Sequence, residues 1–372
     1  MSLKENSKIK VAVLYGGRSA EHEVSLLSAA SVIKNLDKKK FSIIPIGIDK
    51  QGCCFINEIQ HLYTDDTIVL KTKNAEYLDS LAELTRHKKS QPDVIFPVLH
   101  GTFGEDGTIQ GLLEILGLAY VGADVLGSAI GMDKDVAKRL TSAAEIPVVP
   151  FLSFNSGLWA VKKQQLIQNI EQKISYPLFV KPANAGSSLG VTKVKKSDEL
   201  ADAIELAFTF STKILLEQAF EIREIEMAVL ENLQWGGDPL VSRAGEIIPS
   251  HEFYSYEAKY LDPKGAELII PAILQEGQWQ QLKNLAIKIF NCLDCSGMAR
   301  IDFFIEKQSQ KIYFNELNTI PGFTQISMYP KLWEASGLSY QQLLTQLIEL
   351  GLARHRRLSL LERSIASGKF LV

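Results

Sequence analysis

The sequence predicts an α/β chain: an open parallel α/β domain over residues 1–123, then two mixed domains over 124–220 and 221–372. Three observations lead there. In the first third, apolar β-rich runs alternate with helically periodic segments, as in βαβ units built on a parallel sheet. A second alternation of strand, helix and strand between Met132 and Glu217 is long enough for a small α+β domain of about a hundred residues. Beyond Glu221, three further strands accompany a helix near Gln280–Leu293 and a helical tail past Tyr340. A length of 372 residues fits two or three domains of roughly 100–200 residues each.

Each element has its own signal. Ile9–Tyr15 is an apolar run stopped by Gly16-Gly17, and Leu26, Ala29, Ile33 and Leu36 follow at helical spacing. Phe41–Ile48 and Asp93–Leu99 read as strands, Thr108–Leu116 as a helix and Ala119–Gly122 as a short strand. Met132–Ala144 reads as one helix and Pro147–Phe154 as extended; a helix through Leu166 and Ile170 leads to the strand Leu178–Lys181. After a glycine-containing loop come the strand Val191–Val194 and a helix with Ser197 as its N-cap, since Asp198 and Glu199 suit a first turn. Ile214–Glu217, Glu224–Leu230, Met298–Ile305 and Ile312–Leu317 complete the strands.

The 40 basic and 43 acidic side chains leave a net charge of −3, and 46% of residues are hydrophobic against 22% charged. Such a balance excludes disorder, a collagen and a disulfide-rich miniprotein, and it gives a nucleic acid no field of bulk positive charge to bind. Cys53, Cys54, Cys292 and Cys295 read as ordinary core thiols, because the C-x-x-C at 292–295 has no nearby Cys or His to complete a zinc site. The N-terminus is polar, its first apolar run stops at Gly16-Gly17, and no stretch approaches the roughly 20 apolar residues of a membrane span. A cytoplasmic protein without membrane contact is expected.

Chemistry concentrates in three places. Arg300 and Asp302 lie two apart on one strand, Glu316 and Asn318 two apart on the next, so each pair shares a face. A hairpin turning at Gln308–Gln310 puts Asp302 opposite Glu316 and Arg300 opposite Asn318. Two carboxylates and an amide oxygen are hard donors that suit Mg²⁺ completed by phosphate oxygens; a solvated cross-strand ion pair would look the same. Asn318–Thr324 ends that strand in a Pro321-Gly322 turn, which either aims backbone N–H groups at an anion or is simply a turn. Lys181 closes an apolar strand before the small-residue loop Pro182–Gly190, which fits a flexible phosphate-covering loop. It is no Walker A loop, and Gly16-Gly17 lacks the dinucleotide fingerprint G-x-G-x-x-G. Leu215–Phe220 is a strand running into a short polar linker, either a plain domain connection or a ledge whose main chain meets a purine edge.

Together these pieces describe a nucleotide held between two domains. Their order resembles that of the ATP-grasp superfamily and, within it, the D-alanine–D-alanine ligases. The family pattern is matched by Gly16–Ser25, by His100-Gly101 with Gly104–Gly107, and by Met132-Asp133-Lys134. Lys181 with its loop, Tyr256–Tyr260, Arg300-Ile301-Asp302 and Glu316–Thr324 continue it. The likeness runs from about Lys8 to about Leu352, and the tail Ala353–Val372 lies beyond it.

The resemblance implies an enzyme that joins two D-alanine molecules with ATP, for peptidoglycan precursor synthesis. The first carboxylate takes the γ-phosphoryl group to give a D-alanyl phosphate, and the second amine displaces phosphate, leaving ADP. By position, Lys134 and Lys181 hold phosphates under the loop of Ser187 and Ser188; Glu217, Gln218 and Phe220 line the adenine site, and Glu224 reaches the ribose. Asp302, Glu316 and Asn318 bind two Mg²⁺ (or Mn²⁺) ions, with Glu316 bridging, and Arg300 and the Gly322 N–H meet the oxyanion of the tetrahedral intermediate. Glu21 holds the first substrate's ammonium with Ser187 and Tyr260; Tyr260 sits on a lid whose Lys259 contacts phosphate on closure. Ser327 and Met328 contact the second D-alanine, whose carboxylate Ser327 receives. Ester-forming relatives often carry His or Phe at the lid position, so Tyr260 favours the dipeptide. His100 falls on a pocket position, whereas His22 is expected at the surface. Family members commonly dimerise, so a homodimer is expected. Two alternatives stand beside this reading, another ATP-grasp carboxylate–amine ligase and a non-catalytic ATP-binding regulator. Glu21 with Tyr260 speaks against the first, and the intact set Arg300, Asp302, Glu316 and Asn318 against the second.

Overall fold

A computed structural model describes residues 8–64, 67–86, 91–249 and 265–362. Among these residues the first sheet contains β1 (Ile9–Gly16), β2 (Phe41–Ile48) and β3 (Cys54–Ile56), while β4 (Tyr63–Thr64) and β5 (Thr67–Ile68) form a separate ribbon. With β6 (Glu76–Leu78) and β7 (Val94–Val98) the sheet has the order β6-β3-β2-β1-β7. The strands read from the sequence, β2, β1 and β7, pair in parallel, with the helix His22–Asn35 as the first crossover. β3 and β6 extend this parallel centre as an antiparallel edge. Each is three residues long, too short to show an alternation in the sequence.

The second sheet, β10-β9-β11-β8, is antiparallel and is built from β8 (Phe151–Asn155), β9 (Leu178–Pro182), β10 (Thr192–Val194) and β11 (Lys213–Gln218). Leu178, Val180, Ile214 and Leu216 point into a core shared with Ile170, Leu200 and Ile204 of its two helices. The opposite face carries Lys181 and Glu217. The third sheet, β14-β13-β12-β15-β16, is antiparallel throughout. Its strands are β12 (Ile222–Leu230), β13 (Leu240–Pro249), β14 (Ala266–Ile269), β15 (Met298–Glu306) and β16 (Ile312–Asn318). Ile225, Met227, Ile301 and Phe303 face the helix Gln278–Cys292 through its Leu282, Ala286 and Ile289. β13 has no clean alternation, because Gly245 lets the helix Met328–Glu334 approach the sheet: a Cβ there would lie 2.6 Å from the Met328 sulfur.

Four local readings are corrected. The helix read over Met132–Ala144 is Lys134–Ala143: Met132 ends a preceding helix, Val125–Met132, and Asp133 leaves helical geometry and caps the second by accepting from Val136 N–H at 3.1 Å. Ser197 is not an N-cap: it opens a 3-10 turn, Ser197–Glu199, and its hydroxyl donates to Glu171 instead. Ala119–Gly122 forms a single parallel bridge, Ile95 to Tyr120, rather than a strand. His22 is buried, not at the surface, and its Nδ1 lies 2.7 Å from the Gly17 carbonyl. Cys54 and Cys295 are buried, Cys53 and Cys292 half-buried, and all four are free thiols. Among the described residues, no helix is long and apolar enough to cross a membrane.

One apolar core joins the chain's two ends. Val11, Val13 and Phe96 of the first sheet pack with Ala228 and Leu230 of the third and with Leu343, Leu344 and Leu347 of the helix Tyr340–Ser359. Phe323 is the hinge pin: fully buried, its ring lies 5.8 Å edge-on to Phe96 and 5.8 Å from Tyr329, and stacks on Tyr340 at 6.3 Å. Truncation there leaves a large cavity at the junction. Phe323→Ala should lower unfolding stability by about 3–5 kcal/mol in urea titrations.

Candidate active site

The register of one hairpin sets the site. In β15, Ile301, Phe303 and Ile305 fill the core, so Arg300 and Asp302 point to the other face. Near the turn the ladder pairs Phe303 with Phe314 and Phe304 with Tyr313. Continued regularly, it would set Asn315 opposite Asp302 and turn Glu316 inward. A bulge between Asp302 and Phe303 absorbs one residue of β16, so Asp302 faces Glu316, Ile301 faces Leu317 and Arg300 faces Asn318. The pairing expected from the sequence is therefore the pairing found. Its neighbour on β12 is Glu226, paired with Asp302, a buried carboxylate that the sequence reading missed.

Every acidic group here meets a cation. The Arg300 guanidinium lies 2.8 and 2.7 Å from the two oxygens of Asp302, and its Nε lies 3.1 Å from Glu226. Burial alone would lower the guanidinium pKa, but Asp302 and Glu226 outweigh it and hold it well above the usual value. Lys134 Nζ lies 3.0 Å from Glu316 and donates to the Ala185 carbonyl at 3.0 Å, tying the hairpin to the glycine loop. Its pKa is raised: burial works against the charge, and Glu316 more than offsets burial. Asn318 Oδ1 accepts from Ile320 N–H at 3.0 Å, which leaves that oxygen a second lone pair. Two carboxylates and an amide make up this set. No group of three or more His, Cys, Asp and Glu poised for a metal occurs among the described residues.

On the second sheet, Glu217 is 2% exposed and sits between two lysines. Lys181 Nζ contacts one of its oxygens, and Lys138 Nζ lies 2.7 Å from the other. Phe220 stacks on Tyr313 at 6.0 Å, closing the linker against β16. Gln218 turns its side chain away from the cleft, exchanging hydrogen bonds with the main chain of Ser175, so it offers a ligand main-chain atoms only. Glu224 borders the same space.

On the first sheet, Glu21 ends the turn before the helix His22–Asn35 and accepts from the Ser187 hydroxyl of the glycine loop. The carboxylate is wedged between two glycines: a Cβ on Gly101 or Gly186 would come within 2.6 or 2.8 Å of its Oε2. Ser187 and Ser188 both hold left-handed backbone, with φ of 50° and 58°. His100 is buried, with Nδ1 3.0 Å from the Ile320 carbonyl, Nε2 2.9 Å from Ser28 and Glu105 3.6 Å away. Burial disfavours a charged imidazole, yet Glu105 and Glu21 outweigh it and raise its pKa. Ser327 hydrogen-bonds Thr324 N–H at 3.0 Å and lies against Gly322, where a Cβ would meet its hydroxyl at 2.7 Å. Tyr260 and Lys259 lie outside the described residues.

These residues border two cavities. Glu21, His100, Asn318, Gly322, Ser327 and Met328 line one of about 430 Å³. Lys181, Ser188, Glu217, Gln218, Phe220, Glu224 and Asp302 line another of about 620 Å³. Lys134, Ser187, Glu226, Ile247, Arg300 and Glu316 line both, so the cavities meet at the charged cluster.

The Glu217 pair has a pH signature. Burial pushes this carboxyl up, but the ammonium groups of Lys138 and Lys181 outweigh burial and hold it at about 2 against an ordinary 4.5. A depressed folded-state pKa means that the stabilisation is complete above about 4.5 and is lost as pH falls through about 2. Urea midpoints measured down this window should fall less steeply in Glu217→Gln than in the unmodified protein.

The comparisons with known proteins agree along the chain. Residues 10–123 match the family model described as D-ala D-ala ligase N-terminus, and residues 140–349 the D-ala D-ala ligase C-terminus. A D-alanine–D-alanine ligase of Caldicellulosiruptor bescii is 49% identical over 94% of this chain and 97% of its own, and D-alanine–D-alanine ligase A of Bradyrhizobium diazoefficiens is 46% identical over 97% and 99%. Among solved structures, the Coxiella burnetii D-alanine–D-alanine ligase superposes with a TM-score of 0.79 at 36% identity, covering 95% of this chain and 96% of that one. The VanG D-Ala:D-Ser ligase of Enterococcus faecalis superposes with a TM-score of 0.81 at 38% identity, covering 93% and 100%. In sequence over nearly its whole length, and in its ATP-grasp fold, the chain belongs to the D-alanine–D-alanine ligase family.

Proposed function

We propose that this protein joins two D-alanine molecules to D-alanyl-D-alanine with ATP, through a D-alanyl phosphate, releasing ADP and phosphate for peptidoglycan precursor synthesis. The observation that carries this reading is the shared wall of the two cavities, where Lys134, Arg300 and Glu316 face both the space lined by Glu21 and Ser327 and the larger one lined by Lys181 and Glu217. Phosphoryl transfer needs donor and acceptor in line across such a wall, with charge neutralised there.

Lys134 and Lys181 hold the phosphates with Ser187 and Ser188 of the loop above them. Glu217, Phe220 and the main chain of Gln218 form the adenine ledge, and Glu224 takes the ribose. Asp302, Glu316 and Asn318 would hold the divalent metal, Mg²⁺ or Mn²⁺, as two ions. The donor set fits: hard oxygens converge on one face, and three carboxylates (Glu226, Asp302, Glu316) against two cations (Arg300, Lys134) leave net negative charge for a divalent ion. The bound metal supplies charge neutralisation of the transferring phosphoryl group. Glu21 with Ser187 orients the first D-alanine by its ammonium, so that its carboxylate points at the shared wall. Arg300 and the Gly322 N–H receive the negative oxygen when the second amine adds, and Ser327 anchors that second substrate's carboxylate. Tyr260 and Lys259 close the site from the lid and exclude water from the acyl phosphate. We read the chain as three domains, 1–123, 124–220 and 221–372, forming a homodimer in the cytoplasm.

Phosphate release from ATP and metal should depend on D-alanine and not on L-alanine, with D-serine and D-lactate as second-substrate controls. Release that ignores D-alanine overturns the reading. Glu316→Ala should lower turnover at least about a hundredfold. Gly186→Ala pushes a methyl group into the Glu21 carboxylate, so KM for D-alanine should rise about tenfold or more while KM for ATP stays within about threefold.

A further inference from the structure

Lys138 is among the largest fully buried side chains of the protein, 1% exposed, and lines neither cavity. It lies one helical turn after Lys134 and reaches across to the second sheet, 2.7 Å from Glu217 Oε1, with the Phe314 carbonyl at 3.4 Å. The other Glu217 oxygen contacts Lys181, whose side chain is 13% exposed at the cavity wall. One buried carboxylate therefore serves two ammonium groups of different standing, one locked in the interior and one at the edge of the nucleotide space.

The charge count gives Lys138 its consequence. With Glu217 and Lys181 alone, the pair would be neutral, and moving Lys181 onto a phosphate would strand a carboxylate in a medium that penalises uncompensated charge heavily. A second, immovable cation changes this. Glu217 keeps a counter-ion 2.7 Å from its Oε1 whatever Lys181 does, and the cluster presents a net positive charge to a polyanion. Replacing a whole buried ion pair by apolar groups of similar volume is often neutral for stability, so stability alone gives no reason to keep Lys138 and Glu217 as a pair.

We propose that Lys138 is a positioning residue for the nucleotide: the fixed counter-ion of Glu217, which holds that carboxylate toward the base and releases Lys181 to the phosphates. This rests on the reading of Lys181 and Glu217 as nucleotide contacts. The test compares Lys138→Met, Glu217→Gln, the double variant and Lys181→Met by steady-state kinetics, with ADP affinity by calorimetry and urea unfolding alongside. Lys138→Met should raise KM for ATP at least about tenfold, with kcat and KM for D-alanine within about threefold. Adding Glu217→Gln removes the charge that traps Lys181, so the double variant should bind ADP more tightly than Lys138→Met and unfold near the unmodified protein. A change confined to the unfolding midpoint, with KM for ATP unmoved in Lys138→Met, overturns the proposal, as does a double variant no better than the single. If Lys181→Met leaves KM for ATP unchanged, the nucleotide reading itself fails; if Lys181→Met raises it and Lys138→Met does not, only the positioning role fails.

Discussion

The site depends on strand register, a property with no tolerance for half measures. Successive side chains of a strand point to opposite faces, so a slip of one residue exchanges core and cleft. In β16, Ile312 and Phe314 belong to the core, and so does Leu317, which breaks the period of two. The bulge at that break lets Glu316 and Asn318 stand over the cleft beside Asp302 and Arg300 while Leu317 stays with Ile301. Apolar packing of Ile301, Phe303, Phe314 and Leu317 thus fixes the chemistry on the reverse face, and the charged groups need supply no stability of their own.

Electrostatics explains why such a cluster of charge is tolerated at all. Asp302 and Glu226 share Arg300, Glu316 has Lys134, and Glu217 has Lys138 and Lys181. Each carboxylate is paired with a cation of the protein, so no buried negative charge is left uncompensated. The cations lie on different elements: Arg300 on β15, Lys181 on β9, Lys134 and Lys138 on the helix Lys134–Ala143. That helix crosses between the second and third sheets, and its capping residue Asp133 is itself paired with Lys213 at 2.6 Å. Its position therefore sets two lysines at once.

The first sheet joins this assembly through small contacts that demand small residues. Glu21 reaches Ser187 only because Gly101 and Gly186 lack a Cβ, and Ser28 links His100 to the Phe323 main chain. The Phe323 ring, one residue from Gly322, is buried in the core shared by both ends of the chain. The turn proposed to stabilise an oxyanion is thus anchored by packing, which keeps its N–H groups in place without help from a ligand.

Periodicity in the sequence determined the parallel strands β1, β2 and β7, the helices that follow them, and the hairpin pairing of Asp302 with Glu316 and Arg300 with Asn318. These are local properties, written at spacings of two and of three to four residues. The roles of Glu21, Ser187, Tyr260 and Ser327 came from motif resemblance, since no spacing connects residue 21 to residue 187. Only the tertiary structure decided what crosses long separations: that Glu226 joins Arg300, that Lys138 lies beneath Glu217, that His22 is buried, and that two cavities share a wall. A lone Lys or Glu in a sequence gives no sign of whether it faces water or a counter-ion from another sheet. The bulge in β16 lies between these cases, visible as a missed beat between Phe314 and Leu317 but assignable to a face only once both flanking residues are seen packed in one core.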